Sequence, residues 1–409
     1  MLTTHRRAEY AELIALFLVH AAAMAMWFVP LSSVLAAHGL AAIQPYAFAT
    51  SGVAAFVSPL LFGAMADRHA SPVRVLRWLA FATALALAAA CTAIRTGASA
   101  GAVLALIQVY AFCASPTWSI GSTIVFARLA DAKREFGPLR AMATVGWMAG
   151  CLLVSAVGAD QSTLAGYGAA AMWLALWALT FWLPSLATPP SVGRLTWTQR
   201  LGLDALALLR NRDHRMVFLT PALFTIPLAG FYPFTPPHLR ELGFTHTAAW
   251  MSLGQITEIG AMLVLGALLA RWRLKWIVAA GLALGVGRFA FSATGSAWGL
   301  LAGVVLHGAS FTFVYITAQI YLDQRIDPAW RARAQALMTL TTSGVGNLAG
   351  YLGTGAWFAA CQDRGVVRWP LFWGGLTLGA AAVLVLFLAV YRGRGVAPER
   401  AVPTSSSIS

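Results

Sequence analysis

Glu258 is the residue with most to explain. The chain holds 14 acidic residues, and only Glu258 stands in the middle of a long apolar run; the others fall in polar stretches, in tails or near run ends. A carboxylate at the centre of a membrane-crossing helix costs about 2.5–3.5 kcal/mol on insertion scales, so it persists where it meets a cavity or a partner. Gln255 lies three residues earlier, and at helical spacing the two side chains share a face. A carboxylate accepts hydrogen bonds from hydroxyls, whereas an amide both donates and accepts. The pair suits a polyhydroxylated or nucleobase-bearing ligand, and Glu258 can also carry a proton. A purely structural Glu bonded to a neighbouring helix is the alternative, and its cost in hydrocarbon weighs against that.

Two further stripes combine polar and aromatic groups. Arg140, Thr144 and Trp147 follow one another at spacings of four and three; Tyr315 and Gln319 are four apart. Arg140 is either a counter-charge to Glu258 and a ligand donor, or one more arginine at a helix end. Trp147 offers a face for a base or a ribose. On the residues alone the helix-end arginine is the stronger reading. Arg288 also falls within an apolar run, where snorkelling to the surface is one way to keep its charge in water. Pro221, Pro227, Pro233, Pro236 and Pro237 crowd one run, and prolines inside a helix bend it and free carbonyls. Cys91, Cys113, Cys151 and Cys361 are scattered without metal-ligand spacing and read as packing residues. The sequence has no hydrolase triad, phosphate-binding loop, dinucleotide loop or metal cluster, so neither an enzyme nor an ATP-driven pump is expected, and no cofactor.

Such side chains need membrane-crossing helices to hold them. Hydrophobic residues make up 59% of the 409-residue chain and charged residues 10%, with a mean hydropathy of +0.72; soluble domains carry about 25% charged residues. Twelve runs approach or exceed the roughly 20 residues that cross hydrocarbon as helix: 10–36, 44–66, 74–94, 99–126, 139–158, 164–186, 216–238, 246–270, 274–293, 297–322, 331–360 and 367–391. They are continuous rather than alternating, which excludes a β-barrel. Arg6 and Arg7 precede the first run, whose length suits an uncleaved span rather than a signal peptide.

The net charge of +14 is a topology signal rather than a nucleic-acid footprint. With the N-terminus inside, 23 of the 28 Lys and Arg fall at cytoplasmic ends or loops; Arg95, Arg240, Arg364 and Arg368 fall outside. That bias places both termini in the cytoplasm. Anionic membrane lipids are the other partners such charge attracts. The longest polar interval holds Pro189, Pro190 and several arginines, and its residues 196–209 form either a helix lying on the membrane surface or an irregular basic linker. The chain therefore divides into a six-helix bundle at 1–186, a cytoplasmic linker at 187–215, a second bundle at 216–391 and a disordered tail at 392–409. Gly63–x–x–x–Asp67–Arg68 and Gly266–x–x–x–Ala270–Arg271 recur at equivalent places in the two halves, a plan used by transporters with a midplane site.

The first of those loops, in the chain between the second and third runs, resembles the signature of the major facilitator superfamily. The resemblance implies the major facilitator fold, with Asp67 and Arg68 as a conformational latch; Ala270 replaces the acid in the second half. Phe136-Gly137-Pro138-Leu139-Arg140 leading to Thr144 and Trp147, Gln255-Ile256-Thr257-Glu258, Gln319 to Asp323, Arg331 to Leu337, and Trp27 to Leu31 resemble a narrower group, the nucleoside:proton symporters. Here Thr312 stands where members often carry an acid. The resemblance implies a monomeric, proton-coupled importer of nucleosides in the bacterial inner membrane. It implies substrate contacts from Arg140, Thr144, Trp147, Gln255, Glu258, Tyr315 and Gln319, and proton coupling through Glu258 and Arg140. Sugars, glycosides or aromatic acids are alternative cargoes. A polytopic membrane transferase is the alternative of another class, and it would need acids or histidines clustered at one membrane face.

Overall fold

The computed structural model describes residues 4–66, 71–129, 132–184 and 196–393. Each of the twelve apolar runs is helical there, as hydrocarbon requires of a backbone that must satisfy its own hydrogen bonds. We number them α1 (Thr4–Phe28, continued by Leu31–Ala37), α2 (Gln44–Ala66), α3 (Pro72–Arg95), α4 (Ala100–Ala114 and Thr117–Phe126), α5 (Ala132–Ala156) and α6 (Leu164–Leu179). Then come α7 (Arg212–Leu228 and Phe231–Glu241), α8 (Thr247–Met251 and Leu253–Arg271), α9 (Leu274–Ser292), α10 (Ala297–Phe311 to Thr317–Arg325), α11 (Pro328–Thr339 to Asn347–Ala360) and α12 (Trp369–Val390). Among the described residues nine of these, all but α2, α6 and α11, are long and apolar enough to cross a membrane by length and composition.

Local chemistry sets the ends and the breaks. Ser99, Ser296 and Asn211 cap α4, α10 and α7 by accepting backbone N–H bonds at their N-termini. Pro30, Pro116 and the Pro227–Gly230 stretch interrupt α1, α4 and α7. Single π-helical segments, Thr312–Ile316 and Leu340–Gly346, sit inside α10 and α11.

Within the first six helices α1 packs on α5 and α6, and α3 on α4 and α6; within the last six, α9 packs on α10 and α12, α8 on α10, and α7 on α11 and α12. The two sets are joined chiefly by α2 with α11 and α5 with α8, and also by the second part of α7, which meets the end of α1 and the start of α2. At Gly52 of α2 the backbones come so close that a Cβ would lie 3.0 Å from the Leu348 nitrogen of α11.

The interval after α6 departs from a single surface helix. Its described part is one short turn, Trp197–Arg200, capped by Thr196, then a bend at Gly202 and a 3-10 stretch, Leu203–Arg210. The bend seats against Arg333 and Leu337 of α11, which stops the helix from continuing. Trp197 and Leu206 are exposed, as a membrane-facing segment requires.

Candidate substrate cavity

A cavity of about 310 Å³ lies between α1, α4 and α5 on one side and α7, α8, α10 and α11 on the other. Five of the seven residues read as substrate contacts line it: Arg140, Thr144 and Trp147 from α5, and Gln255 and Glu258 from α8. The helical spacing that placed each set on one face turns both faces inward. Thr144 Oγ1 donates to Glu258 Oε1 at 3.1 Å, joining α5 to α8. Arg140 lies over the Trp118 ring, 4.8 Å from its centroid. It lines the same cavity as Glu258, and among the described residues the two form no direct ion pair. Gln255 is buried, and its amide nitrogen donates to the Ser252 carbonyl at 3.0 Å.

The other two residues lie elsewhere. Tyr315 is one step from the cavity: its hydroxyl bonds the lining residue Thr225 at 2.7 Å and its ring stacks on the lining residue Phe311 at 4.8 Å. Gln319 is exposed, and its carbonyl accepts from Gln335 of α11. The straight-helix stripe fails because the π segment Thr312–Ile316 takes up an extra residue and rotates the turns beyond it. Thr312 is buried within that segment and does not line the cavity. Arg288 does not snorkel; it is 1% exposed. Asp67 and Arg68 lie outside the described residues.

Several lining residues carried no sequence signal. Phe28 and Tyr232 join the expected Trp147 in an aromatic wall, with centroids 5.1 Å apart for Phe28–Tyr232 and 6.1 Å for Trp147 with each. His307, Phe311, Asn347 and Tyr351 complete the far side. An apolar, aromatic-walled cavity with a few convergent polar groups is the usual form of a small-molecule site. Charged groups and amides set among flat rings suit a ligand that is part sugar, part planar heterocycle.

The end of the bundle where α5 finishes and α8 begins is tightly held. Asp160 is buried, and its Oδ1 accepts from Ser155 Oγ at 3.0 Å, the Ala248 N–H at 2.7 Å and Thr247 Oγ1 at 3.3 Å. Ser155 Oγ accepts in turn from the Ala249 N–H at 2.9 Å. Nearby, Gln44 of α2 donates to the Pro233 carbonyl of α7 at 2.7 Å.

Comparison with known proteins agrees with this geometry. The sequence model of the nucleoside H+ symporter family matches residues 9–395. The putative nucleoside transporter YegT of Escherichia coli (strain K12) is 35% identical over 390 residues, 90% of each chain. The nucleoside permease NupG of the same organism is 26% identical over 371 residues, covering 85% of this chain and 87% of that one. The crystal structure of NupG superposes with a TM-score of 0.80 at 24% identity, over 94% of this chain and 99% of that one. A POT-family peptide transporter superposes at 0.70 with 16% identity, over 96% and 98%. Both likenesses show the major facilitator fold. With its fold, its aromatic-walled cavity and the match along nearly its whole length, this chain belongs to the nucleoside:H+ symporter family.

Proposed function

We propose that this integral membrane protein imports nucleosides with protons by alternating access. The observation that carries the reading is the Thr144–Glu258 bond across the cavity, with Arg140 in the same wall. Glu258 sits on α8 and its hydrogen-bond donor on α5. Rocking that parts the two helices changes what the carboxyl group meets, and the proton affinity of a carboxyl group depends on its surroundings. The substrate occupies the space between them, so proton and cargo are handled at one place.

The rocking units are the bundles 1–186 and 216–391, joined by the linker 187–215, with the tail 392–409 in the cytoplasm. The protein works as a monomer in a bacterial cytoplasmic membrane, with all twelve helices crossing, both termini inside and the basic loops against anionic lipids. That orientation sets the Asp160 clasp and the Gln44–Pro233 bond on the outer face, where they tie α5 to α8 and α2 to α7. Asp67 and Arg68 then act as a latch on the inner face.

The test is uptake into proteoliposomes. A one-to-one symporter accumulates substrate up to about tenfold per imposed pH unit, because one unit is worth 1.36 kcal/mol. Glu258→Gln keeps shape and hydrogen bonding but cannot release a proton. It is expected to bind and exchange nucleoside while losing gradient-driven accumulation. Undiminished accumulation by this variant would remove Glu258 from the mechanism.

A further inference from the structure

Arg288 on α9 is 1% exposed and pairs with no acidic side chain among the described residues. Its guanidinium lies over the rings of Phe231, at 4.2 Å, and Phe289, at 4.9 Å, and it donates from Nη1 to His307 Nδ1. A cation held this way in hydrocarbon is costly and marks a functional role. Arginine has donors only, so Nδ1 must be the acceptor and the single ring proton sits on Nε2. The imidazole is clamped, stacked on Phe231 at 4.3 Å and edge-on to Tyr232 at 5.9 Å. His307 lines the cavity, and no protein group among the described residues bonds its Nε2.

His307 also stands next to Glu258. Helices α8 and α10 meet where a Cβ on Gly308 would lie 2.3 Å from the Glu258 nitrogen and one on Gly254 would lie 3.3 Å from His307 Cβ. The wall therefore presents a fixed N–H donor beside a carboxylate acceptor. We propose that Arg288 is a positioning residue that locks His307 as an Nε2–H donor, and that this donor with the Glu258 carboxylate selects the lactam edge of a keto base. That edge, an N–H beside a C=O, belongs to uracil and hypoxanthine. Cytosine and adenine carry the reverse, a lone pair beside an amino group, and would set Glu258 against the lone pair and His307 against the amino group. The inference rests on the nucleoside reading and adds the base class to it.

Isothermal titration of the purified protein with uridine, cytidine, inosine and adenosine tests it. The keto nucleosides are expected to bind at least about tenfold tighter than their amino partners, the factor of one polar mismatch. In Arg288→Met the imidazole is free to turn and to move its proton, so the ratio is expected to fall to within about threefold through loss of keto-base affinity. His307→Gln keeps an amide N–H at the position and is expected to keep the ratio, with Arg288→Met no longer lowering it in the double variant. A merely structural Arg288 would lower the melting temperature and leave the ratio alone. If Arg288→Met does not fold, His307→Leu takes its place with the same expected collapse. Equal affinities for keto and amino nucleosides in the parent protein, or an unchanged ratio in these variants, overturns the inference and leaves nucleoside transport standing. Binding of no nucleoside sinks the functional reading itself, and this one with it.

Discussion

Removing the Asp160 carboxylate tests whether the outer clasp holds a conformational equilibrium. The carboxylate accepts the Ala248 N–H at 2.7 Å and, more weakly, the Thr247 hydroxyl at 3.3 Å, both from α8, while Ser155 beside it takes the Ala249 N–H. A hydrogen bond to a charged group contributes about 1.5–3 kcal/mol. The bonds from α8 are made only when α5 and α8 are together, and water replaces them on opening. Asp160→Ala is therefore expected to weaken the closed state by about 2–3 kcal/mol, a shift of roughly 30- to 140-fold in the closed-to-open ratio. Asp160→Asn keeps the acceptor oxygen and loses the charge, and is expected to shift it by only about fivefold, close to 1 kcal/mol. The assay uses a background with the four native cysteines replaced and Gln44→Cys as reporter. Gln44 is buried against Pro233 in the closed state, so a membrane-impermeant maleimide added outside reads opening as a faster labelling rate. Equal rates with and without Asp160→Ala, accompanied by a lower melting temperature, would refute the reasoning and make Asp160 a fold residue.

Trp147→Ala removes one panel of the aromatic wall. If a base stacks there, affinity measured by titration is expected to drop about 5- to 150-fold, from 1–3 kcal/mol per stacked base. Gly308→Ala drives a methyl into the Glu258 backbone, and overpacking of this kind is expected to cost about 1–3 kcal/mol in thermal stability together with uptake; an unchanged melting temperature would show that α8 and α10 can part freely. Orientation is read by single cysteines at two exposed positions, Trp197 and Asp363: the first is expected to label only in inside-out vesicles and the second in intact cells.

The residues legible in the sequence are the ones hydrocarbon penalises. Glu258 is conspicuous because a mid-helix acid is expensive, and helical spacing brings Gln255 with it; Thr144 and Trp147 follow by spacing from Arg140 on another helix, and the family resemblance made them site residues. Tyr232, Phe311 and Tyr351 are invisible for the complementary reason: an aromatic residue in an apolar run costs nothing, whether it faces a core or a cavity. Asp160 looks like an ordinary loop acid in the sequence, and only the approach of α8 makes it buried. Gln319 is misplaced because spacing assumes a regular helix and the π segment of α10 is not one. Arg288 is legible as unusual, but its partner His307 lies 19 residues away on another helix, and no periodicity links them.

The contact at Gly52 has a mechanical consequence. There a Cβ would lie 3.0 Å from both the nitrogen and the Cβ of Leu348, so in the proposed rocking this close contact between α2 and α11 serves as a fulcrum. At 1.5 Å per residue, Gly52 lies roughly 12 Å from the start of α2 at Gln44 and roughly 21 Å from its end at Ala66. The two arms of the lever are unequal. For the same angular swing the Ala66 end travels nearly twice as far as the Gln44 end, so in the orientation proposed above the mouth that releases the cargo is expected to be wider than the one that admits it.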